Sequence, residues 1–117
     1  MDKNERKKTV YNKLVRDRIP EIIEKSGKKA NYRRITDQDE YKKCLISKLE
    51  EEVEEFKNAV KYENPDAIIE ELVDIYDVLG TILRIHNIDF LVRNGRIKKQ
   101  MRKGAFIKRI FLESVEG

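Results

Sequence analysis

The chain has 117 residues, 41% charged and 8% aromatic, which suits one compact domain with an aliphatic core. No run approaches the roughly 20 apolar residues of a membrane span, and one cysteine excludes an internal disulfide and fits a reducing cytoplasm. The net charge of +4 hides a segregation: residues 1–36 carry +7, residues 37–83 carry −9 and residues 84–117 carry +6.

A uniformly solubilising surface would mix its signs. Here an acidic middle, suited to a hard cation, lies between two basic arms, suited to phosphate. Nucleic-acid binding by the arms is the competing reading of the same pattern.

The opening "MDKNERKKTV" has the positive charge of a signal peptide but no apolar core behind it, so residues 1–10 read as a flexible polar leader and secretion is not expected. Residues 11–117 then read as a single domain. "YNKLVRDRIPEIIEKSGKK" predicts an extended stretch and a helix that begins near Asp17 or Arg18, tolerates Pro20 in its first turn and ends at Gly27. "KKANYRRI" is a connector with room for a short strand.

A long helix is predicted from about Asp37 to Tyr62, with Asp37 and Glu40 in a capping arrangement. Ile46, Leu49, Val53, Phe56 and Val60 recur at three and four as its packed face, and Cys44 reads as a small buried hydrophobe beside them. Asn64 caps the next helix and Pro65 opens it, running to about Arg84 with a stripe of Ile68, Leu72, Tyr76, Leu79 and Leu83. The break between the two is so short that they should pack as an antiparallel hairpin. A basic fourth helix is expected from Asp89 to about Lys103, weakened by Asn94-Gly95. "FIKRIFL" reads as a closing strand or an extended tail. His86, the one histidine, excludes a histidine-dominated zinc site and reads as a helix-end or core residue.

The acidic clusters carry the chemistry. "KLEEEVEEF" holds five glutamates in nine residues, and residues 63–83 hold six acids with no lysine or arginine. Like charges three and four apart on a helix repel, by roughly 0.2–0.5 kcal/mol per pair. With Leu49 at the centre of the apolar stripe, Glu52 falls about 60° away and Glu55 about 120°, on the side that Glu51 shares, while Glu50 and Glu54 fall on the other. On the next helix, Glu71 and Asp74 form a similar edge. An antiparallel hairpin can turn these edges toward each other, and four such carboxylates suit Mg²⁺ or Mn²⁺. A solvated acidic face is the plain alternative.

The pattern Glu51-Glu52-x-x-Glu55, a gap of 15 residues and Glu71-x-x-Asp74 resembles the E-E-x-x-E … E-x-x-D signature of the MazG-like, all-α nucleoside triphosphate pyrophosphohydrolases. "YNKLVRDRIPEII" and "KGAFIKRIFL" further resemble a phosphoribosyl-ATP pyrophosphohydrolase-like subgroup. The resemblance implies an all-α antiparallel bundle, assembly as a homodimer or homotetramer, and Mg²⁺-dependent cleavage between the α- and β-phosphates of a nucleoside triphosphate. No membrane partner is expected from the chain's apolar runs, and a nucleic-acid partner is not expected on this reading. On this reading Glu52, Glu55, Glu71 and Asp74 are metal ligands, and Glu51 or Glu55 is the general base. Lys13, Arg16, Arg18, Lys99, Arg102 and Lys103 are candidates for phosphate contact, and Phe106 for stacking on a base.

Overall fold

The computed structural model describes residues 7–117; residues 1–6 of the leader lie outside them, and residues 7–10 are exposed and irregular. Among the described residues the fold is all-α, with four helices and no strand. Both segments with strand potential, the connector at 28–35 and the tail from 106, lack strand structure. No helix among the described residues is long and apolar enough to cross a membrane.

Helix α1 spans Ile19–Lys25, with a proline in its first turn. It ends where Gly27 turns to φ +89, a conformation that suits a residue without Cβ. Helix α2 spans Gln38–Lys61, and the Asp37 carboxylate accepts a hydrogen bond from the Glu40 N–H at 3.4 Å. The Glu40 side chain does not close the reciprocal capping box. Its two oxygens instead accept from the Arg33 guanidinium at 2.9 and 2.6 Å, tying the connector to the start of α2 and holding Glu40 below the usual carboxylate range.

Helix α3 spans Pro65–Ile85. Asn64 caps it, its side-chain oxygen accepting from the Ala67 N–H at 3.2 Å, after Glu63 has reversed the chain at φ +50. Helix α4 spans Asp89–Lys103 and continues through Asn94-Gly95 without a break. The chain divides within α3 into two compact units, the first running to Ile82 and the second from Leu83 to Gly117. In the second, α4 is basic in its last turn and is followed by an exposed irregular tail that carries Phe106, Ile107, Ile110 and Phe111.

In the first unit α2 and α3 form the expected hairpin, but rotated from the stripes read in the sequence. Along α2 the buried positions are Leu45, Glu52 and Ala59, with Leu49 and Phe56 half-buried between them. That row steps by four and three, the spacing of a helix–helix seam. Ile46, Val53 and Val60, expected in the packed face, are instead exposed on the neighbouring row. On α3 the half-buried row is Ala67, Ile68, Glu71, Ile75, Val78 and Ile82, whereas Leu72, Tyr76 and Leu79 point outward with Ile69 and Val73. Cys44 is half-buried, and His86 lies just past the end of α3, exposed rather than in a core.

Candidate metal centre

Rotation of the hairpin brings acid into the seam. Glu52 follows Leu45 by seven residues and precedes Ala59 by seven, so the helix that buries those two must bury it as well. It is 3% exposed. Glu55, one turn on, is exposed at the edge, and Glu71 of α3 is half-buried opposite. One carboxylate oxygen from each of Glu52, Glu55 and Glu71 lies within 4.8 Å of the others.

Such proximity is unfavourable for three ionised carboxylates in a partly dry site. Burial, then the neighbouring carboxylates of Glu52 and Glu55, pushes the Glu71 carboxyl up to about 8. Among the described residues, Oε2 of Glu52 and Oε2 of Glu71 are buried without a hydrogen-bond partner. Buried acceptors normally find a donor, and carboxylate oxygens of this kind are suited to a cation. The all-oxygen donor set fits Mg²⁺ or Mn²⁺ and lacks the nitrogen and sulfur ligands typical of zinc.

Basic side chains hold the rim. Lys48, one turn before Glu52 on α2, reaches Oε1 of Glu52 at 3.1 Å and Oε1 of Glu51 at 3.5 Å. Lys13 donates to the same Glu51 oxygen at 2.8 Å, and that hydrogen bond above all holds Glu51 below the usual carboxylate range. Arg16 spreads its fork over two acids, Nη2 to Asp74 at 2.6 Å and Nη1 to Asp77 at 2.8 Å. Beside the cluster, toward the hairpin turn, an open cleft is lined by Glu55, Asn58, Ala59, Tyr62, Asn64, Ala67 and Glu71.

Of the expected ligands, then, Glu52, Glu55 and Glu71 come together, while Asp74 lies one turn along α3 and is engaged by Arg16. Glu51 is clamped by two lysines, a poor arrangement for a group that must accept a proton. Arg18 points to Glu21 at 3.5 Å and makes no link to the cluster. Lys99, Arg102 and Lys103 are exposed on α4, and Phe106 is exposed in the tail. Sequence reasoning missed Lys48, although its spacing of three and four from Glu51 and Glu52 was available. It also missed Asp77 as an anchor for Arg16.

No family model matches the chain, and no solved structure matches it. The chain is 52% identical over 46 residues to an uncharacterized protein of Mycolicibacterium smegmatis, covering 39% of this chain and 46% of that protein. The chain thus spans about half the length of the curated relative it matches.

Proposed function

We propose that this chain is a divalent-cation-dependent nucleoside triphosphate pyrophosphohydrolase, cleaving the α–β phosphoanhydride of a ribo- or deoxyribonucleotide to give a monophosphate and pyrophosphate. The observation that carries the reading is the trio Glu52, Glu55 and Glu71, drawn from two helices, with two buried oxygens that lack a donor. The acidic signature at its 15-residue gap and the basic N-terminal segment agree with it.

Glu52, Glu55 and Glu71 would hold Mg²⁺, or Mn²⁺ in its place, and Asp74 would complete the set. The bound ion would neutralise phosphate charge and lower the pKa of a water. Glu55, exposed at the mouth, is better placed than the clamped Glu51 to take a proton from that water. Lys13 and Arg16 stand on the rim as partners for phosphate, with Arg18 further out. The open cleft beside Glu55, about 310 Å³, would be the seat for the rest of the nucleotide. Catalysis would rest on positioning and charge stabilisation.

The reading extends to a homodimer or homotetramer, supported by the uncovered row of Ile69, Leu72, Val73, Tyr76 and Leu79 along α3. A reducing cytoplasm suits its single thiol. The test is pyrophosphate release from individual NTPs and dNTPs with Mg²⁺. Glu52→Gln should reduce it by roughly a hundredfold or more with the helical spectrum intact. If the folded wild-type chain releases pyrophosphate from no nucleotide, the basic arms become the better guide and a binding module the better reading.

A further inference from the structure

Arg16 and Lys13 reach the acidic helices from far away in sequence. The contacts span 61 residues to Asp77, 58 to Asp74 and 38 to Glu51. The interaction is therefore tertiary, made by an irregular segment that leads into α1 and in which Leu14 is half-buried. It answers a charge problem, because α3 has no base of its own before Arg84.

The points of contact are also specific. Asp74 lies one turn from Glu71, and Glu51 adjoins Glu52, so both cations stop at the outer edge of the trio. Neither reaches Oε2 of Glu52 or Oε2 of Glu71. A guanidinium is broad and planar, whereas carboxylate oxygens of the trio within 4.8 Å of one another suit a small ion. The pairs are partly exposed, with side-chain accessibilities of 53% for Arg16, 32% for Asp74 and 57% for Asp77. Pairs of this kind are weak and reversible.

We infer that Arg16, supported by Lys13, is a resident counter-cation that a divalent ion displaces, so that loading the site frees two positive side chains for an anionic ligand. The inference rests on the metal-site reading proposed above. With no ion bound, the N-terminal segment is latched across α2 and α3. A divalent cation withdraws Asp74 from the fork and repels the guanidinium. The released Arg16 and Lys13 then find their counter-charge in phosphate. Cation and anion would thus bind in order, through one segment. A fixed positioning role for Arg16 makes the opposite prediction, since losing it would leave Asp74 misplaced and weaken the metal.

The sign of one measurement separates the two. Mn²⁺ binding to the full chain, followed by the electron paramagnetic resonance signal of the free ion, is compared for wild type, Arg16→Gln and Arg16→Lys. Arg16→Gln should bind Mn²⁺ roughly threefold tighter or more, because a repelling charge has gone, and Arg16→Lys should stay near wild type. Equal or weaker binding by Arg16→Gln overturns the latch. In wild type alone, Mg²⁺ should speed tryptic cleavage after Lys13; unchanged or slower cleavage overturns it even if the variants fail to fold. Mn²⁺ binding by none of the chains removes the metal reading and the latch together, an outcome distinct from binding that ignores Arg16.

Discussion

The two faces of α3 are built from similar side chains and meet different fates. One face, Ile68, Glu71, Ile75, Val78 and Ile82, turns into the hairpin and takes an acid with it. The other, Ile69, Leu72, Val73, Tyr76 and Leu79, has no acid and is left uncovered, with Tyr76 81% exposed. The more apolar face is therefore not the one the hairpin uses. Stability alone would favour the reverse, since apolar burial contributes about 25 cal/mol per Å² while buried carboxylates cost free energy. The arrangement makes sense if the inner face carries the chemistry and the outer face is an interface.

The sharpest way to break the contrast is to make the inner face as apolar as the outer. Glu71→Leu should abolish Mg²⁺-dependent pyrophosphate release, by roughly a hundredfold or more. The same change should raise the urea resistance of the metal-free chain by about 1–3 kcal/mol, since it removes a buried acceptor that lacks a donor. Loss of both activity and stability would mean that the acid serves the fold. The converse change places an acid on the outer face. Leu72→Asp should shift the protein to monomer in light scattering while leaving Mn²⁺ binding detectable; an unchanged mass would show that this face is not the interface.

Acidity offers a milder probe. The Glu71 carboxyl in the fold, at about 8, stands above its ordinary value of 4.5. The folded state therefore holds that proton more tightly than the unfolded chain. The resulting stability is fully present below the ordinary value and is lost as pH rises through the folded one. The melting temperature of the metal-free chain should fall from about pH 5 to about pH 8 and level off above that. Glu71→Gln should flatten that slope, and added Mg²⁺ should offset it. The smallest effect is expected at the turn, where Asn64→Ala removes the cap of α3 and should cost about 1 kcal/mol in a denaturation curve.

Much of the fold was legible because its signals are local. Asp37, Asn64-Pro65 and Gly27 mark helix ends by backbone chemistry that needs no tertiary partner, and the observed bounds fall within a residue or two of those expected. Which face turns inward was not legible. Helix α3 is apolar around most of its circumference, so a stripe centred on Leu72 fits the period as well as the true seam does. On α2 the seam is disguised, because its central residue is Glu52 and its last is Ala59, while Ile46, Val53 and Val60 shine from the row beside it. The small pair Ala59 and Ala67, flanking a short turn, was the cue to close approach.

For the site, the wheel put Glu52 at the edge of the buried face, and the structure draws it fully inside. Three of the four expected ligands converge. The fourth is held by an arginine 58 residues away, a pairing that no spacing rule could expose.

The reversal at Tyr62–Asn64 also limits how this chain can vary. The stretch between Glu55 and Glu71 is two helical arms joined by a minimal bend, and each residue of an arm sets about 1.5 Å of rise and 100° of turn. One residue inserted between Phe56 and Lys61 would swing Glu52 and Glu55 away from Glu71, although every functional side chain remained in the chain. Length there is as much a part of the site as composition is.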